Sequence, residues 1–238
     1  RSTLDRSSAA SDVYKRQGYQ NYWSNISDAS IRASNRRYEN VPDRIQMADI
    51  AAGLAELNGP VSQTIVELGC FAGFNLQLTA GCLSSGIRAR TTLIGIEPNA
   101  TACRIGREIS PDVTFVHGGF SELLAGKLDI PEHIDICIVS RVFMILEQQF
   151  VAAILDHLRT RIKTLVVCDD ILNFDGQAVT VRMPENFIIM HPFQKILTEA
   201  GFEIVEVIMS KVPDRECTGF IVAVTKPAAP ADMPLQRL

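Results

Sequence analysis

Apolar positions along this chain switch repeatedly between two spacings. From Val41 to Leu57 the residues Ile45, Met47, Ala48, Ile50, Ala51, Leu54, Ala55 and Leu57 recur near the helical period, with Pro42 early in the run, and predict a helix. Short continuous apolar runs then alternate with helical ones. Strands are predicted at Ile65–Leu68, Thr92–Glu97, Val113–His117, Ile134–Val139 and Thr164–Cys168. The intervening helices are predicted at Asn75–Leu83, Asn99–Glu108, Ser121–Ala125 and Glu147–Leu158. Such alternation implies parallel strands joined by helical crossovers.

The end of the chain departs from that rhythm. A predicted helix, His191–Ala200, is followed by Gly201-Phe202 and by two strand-like runs, Glu203–Met209 and Gly219–Thr225. About nine residues join the runs and no helical pattern fits between them, so they are expected to pair antiparallel. The fold class that results is α/β: a doubly wound, mostly parallel seven-stranded sheet with a C-terminal antiparallel hairpin and helices on both faces.

Candidate chemistry concentrates at two strand ends. The run Ile65-Val66-Glu67-Leu68-Gly69-Cys70-Phe71-Ala72-Gly73 closes a strand with a carboxylate and a glycine turn, and Ile94-Gly95-Ile96-Glu97-Pro98-Asn99 closes the next with a second carboxylate. Glycine permits close approach of backbone to a ligand, and a carboxylate at the second strand end can accept both hydroxyls of a ribose. A plain structural turn followed by a capping carboxylate is the competing reading. Together the two strand ends read as a nucleotide-type cofactor site.

From this point to its end the chain resembles a class I S-adenosylmethionine-dependent methyltransferase. That family ends its first strand with an acid and G-x-G-x-G; Glu67, Gly69 and Gly73 match, while Phe71 stands at the middle glycine. The resemblance implies S-adenosylmethionine as cofactor, held by Glu67, Gly69, Cys70, Phe71, Gly73, Glu97, Pro98, Phe120 and Ser140. In Val116-His117-Gly118-Gly119-Phe120, Gly119 occupies a place where the family often carries an acid for adenine, leaving Phe120 as a candidate for the adenine face or for ordinary core. Ser140 and Arg141 end the fourth strand, where donor and acceptor meet in the family. Cys168-Asp169-Asp170 end the fifth, and Asp169, Asp170 and His191 are the candidate bases. No metal is expected, because catechol-type relatives place a further metal-binding aspartate where Ser140 stands.

Trp23, Tyr22 and the cluster Arg32, Arg36 and Arg37 precede the core, where many family members carry a lid; a surface helix is the alternative. As a lid, Trp23 and Arg37 would meet the acceptor together with Arg141, and the arginines would suit a phosphate or carboxylate on it. The expected organisation is a lead-in or lid over 18–58, a cofactor-binding domain over 59–226 and a disordered tail over 227–238. Asp12-Val13-Tyr14-Lys15-Arg16-Gln17 can be encoded by GAT GTG TAT AAG AGA CAG, which resembles a transposase mosaic end, so residues 1–17 are expected to be an adapter-derived, non-native tail.

Charge narrows the list of partners. The net charge of −4 becomes −6 without residues 1–17, which hold four basic and two acidic side chains, and this disfavours a nucleic-acid partner. No apolar run reaches the roughly 20 residues of a membrane span. Six cysteines without a CxxC pair point to a reducing cytoplasm and no zinc site. A small-molecule acceptor is expected, with O-methylation slightly favoured. The alternatives are a methyltransferase-like domain that binds without turnover, a polyamine-synthase-like transfer lacking its usual acid after strand four, and a nicotinamide-dependent oxidoreductase, which the terminal hairpin disfavours.

Overall fold

The computed structural model describes residues 26–38, 41–176, 181–183, 188–210 and 218–225. Two helices, α1 (Asp28–Tyr38) and α2 (Pro42–Leu57), lead into β1 (Gln63–Leu68), α3 (Phe74–Cys82), α4 (Ser85–Arg88), β2 (Thr91–Glu97) and α5 (Ala100–Ile109). Then follow β3 (Val113–His117), α6 (Phe120–Leu124), β4 (Ile134–Ser140), a 3-10 turn (Phe143–Ile145), α7 (Gln148–Leu158) and β5 (Ile162–Asp170). A small hairpin, β6 (Val181–Met183) with β7 (Ile188–Met190), precedes α8 (Phe193–Glu199), β8 (Phe202–Met209) and β9 (Thr218–Thr225). The hairpin, the 3-10 turn and the short α4 have no counterpart among the elements expected from periodicity, which needs longer runs than they provide, whereas α1 falls where a lid or a surface helix is expected.

The main sheet has the order β3-β2-β1-β4-β5-β9-β8. Its first five strands are parallel, β9 runs antiparallel to β5, and β8 pairs antiparallel with β9. Strand order reverses between β1 and β4, so the helices leaving those two strands diverge to opposite faces and open a crevice at the carboxyl ends.

Both faces of the sheet are covered. One apolar layer unites Met47, Ala51, Leu76, Cys103 and Phe115 with Ile65, Ile138 and Val166, and so packs α2, α3 and α5 on the first face. The other unites Phe120, Phe150, Ile154, Phe193 and Leu197 with Leu68, Val139 and Val167, packing α6, α7 and α8 on the second. Central strands buried on both faces need continuous apolar sequence, and in β5 only Lys163 is exposed. The edge strand β8 is instead largely exposed, with Glu203 and Glu206 facing water and a bulge between Ile204 and Glu206, devices that discourage further strand addition.

Helix α1 docks on α5. Ile31 is fully buried beside Ala72, Ala102 and Ile105, with Ile26 and Phe71 packed against the same cluster. Around this contact four charges close a ring: Arg32 binds Asp28 at 2.7 Å and Glu108 at 2.6 Å, while Arg104 binds Glu108 at 2.7 Å and Asp28 at 2.5 Å. The arginines hold the Asp28 and Glu108 carboxyls below their usual range.

Exposed ion pairs are screened by salt, the Debye length falling from about 10 Å at 0.1 M to about 3 Å at 1 M. Amide exchange in residues 28–38 is therefore expected to quicken with added sodium chloride, and Arg104→Ala should reproduce that effect at low salt. Exchange in α7 serves as the unchanged internal reference. Equal protection of α1 at both salt concentrations would show that Ile31 alone holds the helix.

Candidate cofactor and acceptor site

Side chains alternate faces along a strand, so Glu97 of β2, Glu67 of β1, Ser140 of β4 and Asp170 of β5 all project on the α2–α3 side of the sheet, at its carboxyl edge. Thr218 at the start of β9 pairs with Asp170 and extends this polar row. The row lies across the point where strand order reverses, the usual ligand position in such sheets.

The turn after β1 is built to bring backbone close. Gly69 and Gly73 have φ of +72° and +78°, and a Cβ on them would meet Val142 Cγ2 at 2.7 Å and the Phe115 ring at 2.6 Å. Phe71, at the middle of the motif, is also left-handed with φ of 53°, a conformation costing a non-glycine residue roughly 1–2 kcal/mol. Its backbone N–H donates to Glu97 Oε2 at 2.9 Å, and its side chain packs toward Ile26 and Ile31 of the lead-in segment. Cys70 turns beneath the loop: its sulfur fills the space over Gly95, where a Cβ would stand 2.3 Å from it. Burial pushes the Cys70 thiol well above its usual range.

Glu97 is the hinge between the two strand ends. Oε1 accepts the Asn99 N–H at 2.9 Å while Oε2 accepts that of Phe71, so each oxygen keeps lone-pair capacity for a ligand hydroxyl. Asn99 caps α5 by accepting from the Ala102 N–H at 2.9 Å, and the Pro98 carbonyl meets His117 Nε2 at 3.1 Å.

Glu67 is wholly buried. Asn75 Nδ2 donates to Oε1 at 2.5 Å, and Arg44 Nη1 in turn donates to Asn75 Oδ1 at 2.8 Å, forming a relay from α2 through α3 to β1. Oε2 receives no hydrogen bond from any described residue. Burial pushes Glu67 up to about 7, against the opposing effects of Asn75 and Arg44, and likewise pushes Glu97 up to about 7. Arg44 and Asn75 were not singled out from sequence. Asn75, two positions past the second glycine and in the first turn of α3, carried the only available signal.

Beyond β3, Gly119 donates its N–H to Glu122 Oε2 at 3.1 Å, so a carboxylate does reach this corner, from α6. Phe120 is 8% exposed and packs edge-to-face on Phe150 at 6.1 Å, placing its ring in the second core layer.

The base candidates separate. Asp169 faces the α7–α8 side, opposite to Asp170, and is fully buried; Oδ2 accepts the Met144 N–H at 3.0 Å and Oδ1 that of Asp170 at 2.8 Å. Burial pushes it up to about 7. His191, also fully buried, has Nε2 2.8 Å from the Phe143 carbonyl, and its Nδ1 makes no hydrogen bond to a described residue. Burial lowers its pKa, so Nε2 carries the proton and donates. Asp169 and His191 thus hold the 3-10 turn after β4 from behind. Asp170, 4% exposed in the polar row, accepts the Leu172 N–H at 3.2 Å. Neighbouring carboxylates on opposite faces cannot share an ion, and among the described residues no group of three or more His, Cys, Asp or Glu is arranged for a metal.

Ser140 is 8% exposed beside Cys168, and Arg141 follows it in a left-handed conformation with its side chain reaching Thr218. Of the lead-in arginines, Arg32 is bound by carboxylates in the α1–α5 ring. The backbone of Arg37 lies in α1 but its side chain, like Trp23 and Tyr22, falls outside the described residues.

Five parallel strands in this order, closed by an antiparallel β9 and β8, constitute the class I S-adenosylmethionine-dependent methyltransferase fold. No protein-family model and no curated protein matches the chain. Solved structures do. The CurJ carbon methyltransferase superposes with a TM-score of 0.63 at 13% identity, over 84% of this chain and 59% of that one. A SAM-dependent methyltransferase from Aquifex aeolicus gives 0.58 at 15% identity, over 84% and 100%. Magnesium protoporphyrin IX methyltransferase (ChlM) from Synechocystis PCC 6803, solved with bound SAM, gives 0.57 at 15% identity, over 77% and 80%. At these identities the likeness is one of fold.

A carboxyl whose folded pKa lies above its unfolded value adds stability below the unfolded pKa, and that contribution is lost as pH rises through the folded one. For Glu67 the window runs from about 4.5 to about 7. Glu67→Gln, which copies the protonated form and keeps the acceptor for Asn75, is expected to exceed the wild-type melting temperature by a small margin at pH 5 and by a larger one at pH 8. An equal difference at both pH values would refute the assignment of a raised pKa.

Proposed function

We propose that the protein transfers a methyl group from S-adenosylmethionine to a small-molecule acceptor, with an oxygen nucleophile favoured. The observation that carries this reading is the joined pair of strand ends, in which Glu97 spans from the glycine turn to α5 while keeping acceptor capacity. The residues present fit such a cofactor. Gly69 and Gly73 let backbone approach it, Glu97 suits a ribose diol, and the orphaned Glu67 Oε2 suits a donor such as an ammonium group. Pro98 follows Glu97 at one end of this row and Ser140 lies within it; Cys70, Phe71 and Phe120 shape it from behind through their packing. The cofactor supplies an activated methyl group on a sulfonium centre.

The remaining work falls to the chain. Holding acceptor and donor in line is worth on the order of 7–11 kcal/mol in well-oriented reactions. The 3-10 turn fixed by Asp169 and His191 sets the wall at which the acceptor stands, making these two positioning residues in this reading. Asp170, on the same face of the sheet as Glu97, is assigned as the base that takes a proton from an acceptor hydroxyl. Arg141 is assigned to the acceptor, and Trp23 and Arg37 to a lid formed by residues 18–58. Residues 59–226 form the catalytic domain.

Calorimetric titration tests the proposal. S-adenosylmethionine and S-adenosylhomocysteine are expected to bind saturably and NADH not to bind. Hydrogen bonds to charged groups contribute about 1.5–3 kcal/mol, so Glu97→Gln should weaken both adenosyl ligands by roughly tenfold or more. Binding of NADH alone would establish an oxidoreductase instead. A folded protein that binds none of the three would favour the non-catalytic reading, for which the left-handed Phe71 in a glycine's place is the specific motive.

A further inference from the structure

Among the described residues, none pairs a carboxylate with Arg141. It follows β4 directly, beside Ser140, and its backbone is pinned by donating an N–H to the Cys168 carbonyl at 2.8 Å. Its φ of 60° lies where a long side chain is disfavoured. That conformation carries the side chain across the end of β5, where Nη1 donates to the hydroxyl of Thr218 at 3.2 Å. Thr218 is 1% exposed and neutral, and Arg141 forms no ion pair with any described residue. The nearby carboxylate that feels its charge, Asp169, lies on the opposite face with both oxygens occupied by backbone N–H groups.

Among the described residues this half-buried guanidinium commits one of its five side-chain donors, and that one to a hydroxyl, so the others are open to an anion. Arg32, by contrast, is saturated by Asp28 and Glu108 and is unavailable for a ligand. The planar fork of Arg141 matches two oxygens of a carboxylate or phosphate. It stands one residue from Ser140 and next to the Asp170–Thr218 pair, so a bound oxyanion would be anchored alongside the group assigned as base.

We propose that the methyl acceptor carries an oxyanion, carboxylate or phosphate, bound by Arg141. The inference rests on the methyltransferase reading for the word acceptor, but the oxyanion site itself does not. It excludes neutral phenols and amines as good substrates and points to small hydroxylated acids or phosphate esters.

The test uses the full chain, with and without saturating S-adenosylhomocysteine, and reads the binding of benzoate, phenyl phosphate and neutral benzamide by ligand-observed NMR titration. Benzoate or phenyl phosphate is expected to bind at least ~10-fold more tightly than benzamide, in line with a charge-assisted bidentate pair. Arg141→Gly should abolish the preference and still fold, since glycine relaxes the left-handed backbone. Arg141→Lys keeps the charge without the fork and should restore part of it. The tighter of the two oxyanions names the acceptor group. Equal binding of benzoate and benzamide, no binding of either oxyanion to folded protein, or an oxyanion preference that survives in Arg141→Gly would overturn the proposal. Failure of S-adenosylhomocysteine to bind, with the Arg141-dependent preference intact, would remove the methyltransferase reading and leave the oxyanion site standing.

Discussion

One buried carboxylate ties the functional end of this protein together. Glu97 closes β2 and accepts N–H groups from both Phe71 and Asn99, so the glycine turn after β1 and the entry to α5 share a single acceptor. Backbone donors in a tight turn need partners once water is excluded, and a carboxylate supplies two with capacity left over. Its cost is desolvation, visible in a pKa pushed up to about 7. With that clamp in place Gly95 must remain a glycine, because Cys70 folds under the turn onto it. Phe71 is likewise held in a conformation it would not adopt alone.

From this clamp the rest of the edge follows by strand alternation. Residues two apart share a face, so Glu67, Ser140 and Asp170 line up with Glu97 once parallel register is set. The same rule sends Asp169 to the other side, where it and His191 brace the 3-10 turn. Adjacent acids in sequence therefore serve different layers. Polar groups placed in this way are paired almost throughout, and Glu67 Oε2 stands out because it is not.

The lead-in segment is fastened in a different manner. α2 is keyed to the far end of the sheet, where buried Asp43 accepts the hydroxyl of Ser210, and to the carboxyl edge of β1 through Arg44 and Asn75. Among its described side chains, α1 rests on one buried isoleucine and a ring of surface charges. A segment held in part by screened ion pairs is released more easily than one held by burial alone, and Phe71 packs against the same cluster as its Ile31.

Much of this was legible along the chain. The helical runs between the first five strands, and the lack of one between the last two, separate the parallel strands from the terminal hairpin. The glycine turn and the two strand-end acids could also be read, because φ above zero and close backbone approach leave a compositional trace. What no local pattern carries is direction across the sheet. Whether Asp169 or Asp170 faces the crevice, whether Phe120 meets a ligand or Phe150, and whether Arg32 or Arg141 finds a carboxylate among the described residues all depend on register and on partners many residues away. Sequence determined the strands of the main sheet, the longer helices between them and where their chemistry clusters; tertiary structure alone decided which of those side chains are already satisfied, because satisfaction is a property of pairs brought together by packing.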